Sequence, residues 1–371
     1  MVFDLSTVGT VTAAMLTAAV VALITTPVVR ALAFRVGAVD VPKDGRRMHD
    51  HPIPRMGGLA IFFGFLLSVL VFLSLTLPLR GMLLGAVVIV ILGIFDDIYA
   101  LGAKLKLAVQ ICAALIAVLM GNRIFLLSNP NIFSSDPFWE LGWLSIPISV
   151  LWIVGITNAV NLIDGLDGLA CGVSTISSMT LLVIALTVAE PSIAILTAAL
   201  AGGCLGFLPY NLNPAKIFMG DTGSTFLGFV LAVVSIQGLF KLYAIMSFAV
   251  PFLVLALPIF DTCFAILRRV SHGQSPMTPD RGHLHHRLID MGFSQKQAVA
   301  VLYVISAILG LSAVVLATTG VVKAMLFLLA LCLCGALAGK VFLDHAQATR
   351  GKDSPIGGND NFFGEEDRSE K

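Results

Sequence analysis

Long apolar runs separated by short polar stretches make up most of this chain. A helix of about 20 apolar residues spans a bilayer core, and it satisfies its own backbone hydrogen bonds in lipid. The runs lack the alternation of a membrane β-barrel, so they predict an all-α, polytopic integral membrane protein with about eleven transmembrane helices. The predicted segments are 8–29, 57–79, 81–95, 105–121, 143–160, 169–188, 192–209, 223–240, 244–267, 297–318 and 321–343.

The distribution of Lys and Arg predicts the orientation of these helices. With the N-terminus outside, the inner loops hold most basic residues, and the outer loops hold Arg80, Arg123, Lys241 and Lys323. Because cytoplasmic loops carry the excess of basic residues, this pattern favours an N-out, C-in topology. Residues 1–343 are predicted to form a single transmembrane domain. Residues 344–371 are polar and predict a disordered cytoplasmic tail.

Composition narrows the classes of function. The chain is 57% hydrophobic and 12% charged, with a mean hydropathy of +0.95. Its net charge is +1 and its basic residues form no continuous stripe, which argues against a nucleic-acid partner. The six cysteines lie inside apolar runs without metal-ligand spacing, so they are interpreted as reduced packing residues.

Four polar clusters interrupt the apolar pattern at helix ends. They are Asp96-Asp97, residues 158–167, Asp221, and a histidine loop at 283–287. Because alternate crossings return to the same side of a membrane, all four are predicted on the cytoplasmic surface. Acidic residues and histidines are costly at membrane depth, so their convergence predicts a functional site.

The aspartates suit a divalent cation. Asp96 and Asp97 repel each other unless a cation or a shared proton lies beside them, and carboxylate oxygens are preferred by Mg²⁺. A solvated helix terminus is the alternative for this pair. Asp221 stands between glycines before an apolar helix, where it can act as an N-cap, a metal ligand, or both. A helix start also favours phosphate.

A polar series with a spacing of three follows the fifth apolar segment. Its amide and carboxylate edges, with Gly165 and Gly168 beside them, are suited to bind a uracil or a ribose, whereas ordinary Asx turns are the alternative. The series consists of Asn158, Asn161, Asp164 and Asp167.

Basic and histidine side chains supply candidate phosphate contacts. The histidine loop can bind phosphate oxygens or relay a proton, and its alternatives are a zinc site or contact with lipid headgroups. Lys106 either binds a lipid phosphate or extends to the headgroups. For the basic residues of the first inner loop, contact with a phosphate and a role only in setting the membrane orientation are both open. The candidates are Arg46, His49, Lys106, His283, His285, His286 and Arg287.

In this order, the motifs resemble the polyprenyl-phosphate N-acetylhexosamine-1-phosphate transferases, glycosyltransferase family 4. The resemblance covers about residues 40 to 290, and the ordered set is far more specific than any single motif. The matching motifs are Pro54-Arg55-Met56-Gly57-Gly58, Phe95-Asp96-Asp97, Lys106-Leu107-x-x-Gln110, Asn158-x-x-Asn161-x-x-Asp164-Gly165-x-Asp167-Gly168, Met219-Gly220-Asp221-x-Gly223-Ser224 and the histidine loop.

The resemblance implies an enzyme of the bacterial plasma membrane with its active site facing the cytoplasm. Such an enzyme joins a UDP-sugar to undecaprenyl phosphate and releases UMP, with Mg²⁺ required and Mn²⁺ as a substitute. The sequence His283-Leu284-His285-His286-Arg287 resembles the corresponding motif of one branch of the family. Enzymes of that branch use UDP-N-acetylglucosamine to start the synthesis of teichoic acid, O-antigen or related glycans. Another UDP-N-acetylhexosamine or UDP-N-acetylmuramoyl-pentapeptide remains an alternative donor, and a homodimer is left open.

The roles that follow are hypotheses. Asp97 and Asp221 bind Mg²⁺, Asp96 deprotonates the lipid phosphate, and Lys106 holds that phosphate. The Asn and Asp series contacts the nucleoside or sugar, and the histidine loop, with His283 in a catalytic role, grips the diphosphate. Direct attack and an aspartyl-phosphate intermediate are both open. An ion-coupled transporter is the alternative from another class, but it would place carboxylates near the bilayer midplane.

Overall fold

The computed structural model describes residues 5–42, 51–128, 138–188, 190–238, 249–273 and 282–319, together with residues 323 and 327. Twelve α-helices and two short antiparallel β-pairs lie in this part of the chain. The helices are α1 (Leu5–Val36), α2 (Gly58–Phe72), α3 (Leu77–Tyr99), α4 (Ala103–Leu119), α5 (Ser145–Leu162), α6 (Leu169–Thr187), α7 (Pro191–Asn211), α8 (Gly220–Gly238), α9 (Ala249–Val254), α10 (Ala256–Ser271), α11 (Leu284–Asp290) and α12 (Gln295–Thr319). The strands are β1 (Val39–Asp40), β2 (Ile53–Pro54), β3 (Leu126–Ser128) and β4 (Phe138–Glu140).

The helices confirm the all-α membrane architecture. In the described part of the chain, α1, α3, α5, α6, α7 and α12 are long and apolar enough to cross a membrane, and α2 is apolar but shorter, with 15 residues. The count of eleven spans and the N-out orientation stay predictions. The predicted segment 321–343, the tail 344–371, Arg46 and His49 lie outside the described residues, apart from positions 323 and 327.

Helix α8 forms the centre of the bundle. It is buried along almost its whole length and packs against α2, α3, α5, α6 and α7. Close approach depends on small residues, as is typical of membrane helices. A Cβ on Gly58 of α2 would overlap the backbone of Gly223, and a Cβ on Gly93 of α3 would overlap the backbone of Thr222. The N-terminus of α8 is therefore fixed against α2 and α3.

The apolar segment predicted at 244–267 is broken into two helices. Helix α9 ends at Val254 and α10 begins at Ala256. Pro258 has no N–H to donate to the carbonyl four residues earlier, which belongs to Val254. The hydroxyl of Ser177 donates to that carbonyl oxygen instead, at 2.9 Å. The break is thus satisfied inside the protein, as the bilayer requires.

Several helix ends meet at one end of the bundle. The β1–β2 pair follows α1, α3 ends at Tyr99, α5 ends at Leu162, and α8 begins at Gly220. The backbone N–H of Gly57 and that of Gly58 donate to the carbonyl oxygens of Phe218 and Met219. These bonds attach the start of α2 to the segment that leads into α8, and together the helix ends surround a cleft.

Candidate active site

The cleft has a volume of about 340 Å³, which lies within the range of small-molecule sites. Its lining is strongly polar and comes from distant stretches of sequence. The lining residues are Asp40, Arg55, Asp97, Asn161, Asp164, Gly165, Leu166, Asp167, Asn211, Phe218, Met219, Gly220, Asp221, His286 and Gln295. The four polar clusters singled out in the sequence therefore lie at the same end of the bundle.

Asp97 caps the central helix. Its Oδ1 accepts from the backbone N–H of Asp221 at 3.0 Å. Its Oδ2 accepts from the N–H and the hydroxyl of Thr222, at 3.1 and 2.7 Å. Gly220 has φ +72° and a Cβ there would meet the Asp97 carboxylate, so a glycine is required for this approach. The N-cap expected of Asp221 is thus provided by Asp97 from another helix.

Lys106 joins two of the predicted carboxylates. Its Nζ lies 2.9 Å from Oδ2 of Asp96 and 2.7 Å from Oδ2 of Asp221. The other oxygen of Asp96 accepts from the N–H of Leu101 at 2.8 Å. Asp96 is also inside α3, which continues to Tyr99 beyond the predicted end of this segment at residue 95. Because both oxygens of Asp96 are engaged, this geometry does not favour Asp96 as a base toward lipid phosphate.

The polar series divides into supporting and cleft-facing members. Asn158 donates to Oε1 of Gln110 at 2.7 Å, one turn below the cleft, and is not among its lining residues. Asn161 lines the cleft and donates to the hydroxyl of Ser224 at 2.8 Å. Asp167 accepts from the side chain of Asn213 at 2.8 Å and from the N–H of Ala215 at 3.1 Å. Asp167 therefore holds the segment between α7 and α8 while it lines the cleft.

Asp164 stands in the turn after α5. Burial raises the pKa of Asp164 to about 8, and the charges of Asp221 and Asp97 act in the same direction. Arg55 opposes this shift. The raised pKa of Asp164 indicates that several carboxylates repel one another here, and a bound cation would reduce this repulsion.

The histidine loop is anchored from behind. Nδ1–H of His283 donates to Oδ2 of Asp261 at 2.8 Å, and the N–H of Leu284 donates to Oδ1 of the same carboxylate at 2.7 Å. His283 is buried and is not a lining residue of the cleft, whereas His286 is one. Arg287 stacks on the ring of Phe264, with 4.9 Å between guanidinium carbon and ring centroid. Asp261 thus faces inward and orders the loop.

His285 lies against the turn that holds Asp164. A Cβ on Gly165 would overlap the imidazole of His285, whose ring is tilted against that of His286 with centroids 4.3 Å apart. Burial, followed by the charge of His286, lowers the pKa of His285 to about 4. His285 is therefore neutral at neutral pH, and it is buried and is not a lining residue of the cleft.

Replacing His285 by Gln should flatten the pH dependence of stability. The pKa in the folded protein lies below the usual 6.5, so the unfolded chain binds more protons between about pH 4 and 6.5. Wild-type stability should fall as pH decreases through this window, by at most about 1.4 kcal/mol per pH unit. Thermal unfolding in detergent at a series of pH values measures this slope.

Leu284→Ala, in the same short helix, changes packing without removing a proton site, and it should keep the wild-type slope. An unchanged slope in His285→Gln would contradict the assignment of the titration to this imidazole.

Several cleft residues escaped the sequence-based prediction. Asp40 and Arg55 form an ion pair at 3.0 Å across the β1–β2 pair. Oδ1 of Asn211 is buried without a hydrogen-bond partner among the described residues, while its Nδ2 donates to the carbonyl of Ile217. Phe218 adds an aromatic ring to the cleft wall. Arg55 belongs to the Pro54–Gly58 motif, so the sequence contained a sign of its role. Asn211 lies in a turn-like Asn-x-Asn-Pro stretch, which belongs to none of the motifs.

The donor set fits a hard divalent cation that is completed by substrate. Within the described ranges, no group of three or more His, Cys, Asp and Glu side chains is arranged to hold a metal ion alone. Mg²⁺ is usually bound by one or two carboxylates together with substrate phosphates and water. Asp221 lines the cleft and its Oδ2 accepts from Lys106, so it is a ligand that a cation could reach from the cleft. Asp97 already accepts three hydrogen bonds from α8.

Comparisons with known proteins agree with the geometry. Residues 79–239 match the family described as glycosyl transferase family 4. A probable undecaprenyl-phosphate N-acetylglucosaminyl 1-phosphate transferase of Bacillus subtilis is 47% identical, over 79% of this chain and 81% of the relative. A decaprenyl-phosphate N-acetylglucosaminephosphotransferase of Mycolicibacterium smegmatis is 38% identical, over 78% and 77%. An undecaprenyl-phosphate alpha-N-acetylglucosaminyl 1-phosphate transferase of Escherichia coli O157:H7 is 30% identical, over 76% and 77%.

Proposed function

We propose, on the premise that this chain belongs to glycosyl transferase family 4, that it transfers N-acetylglucosamine-1-phosphate from UDP-N-acetylglucosamine to undecaprenyl phosphate. UMP is the second product. The relatives' names support the transferred group and the lipid phosphate acceptor, and the alternatives of a transporter or another donor are not favoured. The reaction starts the membrane stage of a cell-envelope glycan, with the cleft facing the cytoplasm of a bacterial cell.

One observation carries the proposal. Asp97, Asp164 and Asp221 come from three separate stretches of chain and line one cleft at the start of α8. A divalent cation held by these carboxylates would remove their repulsion of a nucleotide diphosphate bound in the cleft. This arrangement suits phosphoryl transfer, in which positioning and charge stabilisation supply most of the rate acceleration.

The nucleoside end of the donor would lie beside Asn211 and Phe218 in the cleft. The unpartnered Oδ1 of Asn211 can accept the N3–H of uracil, because a buried acceptor left unpaired is costly. The ring of Phe218 provides a surface for the base, and Asp164 and Asp167 offer acceptors for ribose or sugar hydroxyls. In this proposal Asp164 and Asp167 carry the recognition role inferred for the Asn and Asp series, and Asn158, which is not a lining residue of the cleft, does not.

The acceptor lipid suits a second cavity, of about 530 Å³, beside α10. Phe260, Phe264 and Leu267 are exposed along this helix at a spacing of one turn and form an apolar surface. Arg287 lines the same cavity at its polar end. A polyprenyl chain would lie on the apolar surface with its phosphate near Arg287, which gives Arg287 a role toward the acceptor instead of the donor.

In the reaction, an oxygen of the lipid phosphate attacks the sugar-bearing phosphorus of UDP-N-acetylglucosamine. The bond from this phosphorus to the bridging oxygen breaks, and UMP leaves with that oxygen. Asp221, with support from Asp97, would hold Mg²⁺, which would supply positive charge to the diphosphate. Lys106 keeps Asp221 oriented, and Asp96 fixes Lys106. Direct attack accords with this geometry, since both oxygens of Asp96 are occupied.

His283 acts as a positioning residue in this scheme. The bond to Asp261 fixes the proton of His283 on Nδ1, and the second Asp261 oxygen caps the start of α11. His286 is thereby held at the cleft rim, where it can donate a hydrogen bond to the diphosphate.

Release of UMP tests the function directly. Purified protein in vesicles that contain undecaprenyl phosphate should release UMP from UDP-N-acetylglucosamine, and much less from UDP-N-acetylgalactosamine or UDP-N-acetylmuramoyl-pentapeptide. Chelation with EDTA should abolish release, and Mg²⁺ or Mn²⁺ should restore it, because the carboxylates of the cleft otherwise repel the diphosphate.

Two outcomes would count against the proposal. Release of UMP that continues in EDTA would reject the cation site, while the transferase activity itself would stand. Absence of release with every UDP-sugar and metal, from protein that unfolds cooperatively, would reject the transferase function.

A further inference from the structure

A second polar site lies on the outer surface of α1, away from the cleft. Arg30 and Lys216 line a groove of about 430 Å³ together with Pro27, Ala31, Phe34 and Tyr210. Nε of Arg30 donates to the carbonyl oxygen of Lys216 at 3.1 Å, which brings the two basic residues to one place although they are far apart in the sequence. This site has no part in the scheme described above.

Among the described residues, neither cation of this groove, Arg30 or Lys216, has an acidic partner. Both side chains are exposed. Two neighbouring cations repel each other unless an anion lies between them, so the groove is electrostatically complementary to a phosphate.

The surroundings of the groove are those of the lipid interface. Arg30 lies within the apolar span of α1, six residues or about 9 Å of helix rise before its end. Its neighbours Val28 and Leu32 are exposed, at 67% and 40%, as is Phe34, over which the guanidinium lies. Asp40, just beyond α1, lines the cleft, so the groove is at the same end of the bundle. Arg and Lys at such a level reach the headgroups.

We propose that the groove formed by Pro27, Arg30, Ala31, Phe34, Tyr210 and Lys216, the Arg30–Lys216 groove, binds the phosphodiester of an anionic glycerophospholipid. Arg30 and Lys216 bind the phosphate oxygens, and the hydroxyl of Tyr210 adds a donor. One acyl chain lies along Pro27, Ala31 and Phe34 on α1. Phosphatidylglycerol has this combination of an anionic phosphodiester and acyl chains.

Binding at this groove would also steady the wall of the cleft. The N–H of Lys216, in the segment that joins α7 to α8, donates at 2.8 Å to the carbonyl of Tyr210 in the last turn of α7. Asn211, at the end of α7, and Phe218, in the joining segment, line the cleft, and the N–H of Ala215 donates to Asp167. A lipid phosphate bound by Lys216 therefore fixes a segment that also forms part of the cleft.

The test measures lipid affinity without any enzymatic readout. The full chain, purified in a neutral detergent, is titrated with phosphatidylglycerol or phosphatidylcholine, and the apparent affinity is obtained from thermal stability and from native mass spectrometry. Wild type should prefer phosphatidylglycerol, and the preference should shrink at high salt. Arg30→Gln and Lys216→Gln should each weaken phosphatidylglycerol binding about fivefold, and the double variant about 25-fold, with phosphatidylcholine binding unchanged.

Arg35→Gln is the matched control, because Arg35 is an exposed basic residue of the same helix with the same charge and lies outside the groove. It should bind phosphatidylglycerol as wild type does. Equal phosphatidylglycerol affinity in wild type and the double variant would overturn the proposal, and so would an equal loss in Arg35→Gln. Displacement of phosphatidylglycerol by equimolar undecaprenyl phosphate would assign the groove to the acceptor and would also overturn it. If the double variant fails to fold, the two single variants decide.

Discussion

Asp221→Asn should lower the rate of UMP release by at least about 100-fold while the protein stays folded. The substitution keeps the size of the side chain and an oxygen that can accept from Lys106, but it removes the negative charge that binds the cation and orients the donor. Because the side chain of Asp221 is 27% exposed and Lys106 keeps Asp96 as a partner, the substitution should not create a buried unpaired charge. Turnover and thermal unfolding, measured on the same preparation at saturating Mg²⁺, separate the two effects.

Asp290→Asn serves as the control for this variant. Asp290 is exposed at the end of α11 and is not a lining residue of the cleft, so its substitution should leave turnover within about twofold. Turnover close to wild type in Asp221→Asn would exclude the proposed role of this carboxylate. Loss of cooperative unfolding would instead indicate that Asp221 acts mainly through the fold.

Gly93→Ala should be strongly destabilising and should reduce activity as well. A Cβ at this position in α3 would overlap the backbone of Thr222, which cannot move aside as a side chain can. Overpacking of this kind costs about 1–3 kcal/mol, and it pushes the start of α8 away from Asp97, the residue that caps it. We expect a lower unfolding temperature and a loss of turnover that exceeds the loss of folded protein.

The matched control for this prediction is Gly155→Ala. Gly155 also lies inside a transmembrane helix, α5, but a Cβ there meets nothing within 4 Å. Alanine is favoured over glycine in a helix, so this variant should be as stable as wild type or slightly more stable. If Gly93→Ala behaved like Gly155→Ala, the close packing of α3 on α8 could not be what places Asp97.

The apolar pattern predicted the helices well, because a segment in lipid must satisfy its own backbone hydrogen bonds and an apolar run of this length does so as a helix. Ten of the eleven predicted segments correspond to helices of the described residues, and the eleventh lies almost wholly outside them. Helix ends were less predictable. The predicted segment 81–95 ends before Asp96, because charge is costly in lipid. Helix α3 instead continues through both aspartates, since Lys106 pairs with Asp96 and the N-terminus of α8 donates to Asp97.

The convergence of the polar clusters could be predicted, but the partner of each side chain could not. Because alternate membrane crossings return to the same side, the sequence predicts Asp97 and Asp221 on one side of the membrane. It does not predict the distance between them. That Asp97 caps α8 depends on the packing of Gly93 against Thr222, which is a tertiary contact between residues more than 100 positions apart. The same holds for Asp261, whose contact with His283 arises only when the loop folds back onto α10.

The contact of Lys106 with two carboxylates has a consequence for the life of the protein before it meets substrate. The ammonium group of Lys106 lies between Asp96 and Asp221 and serves as their counterion. Burial of these two carboxylates at the membrane surface therefore does not require a bound metal ion. The charge balance of these two carboxylates is thus provided by the chain itself.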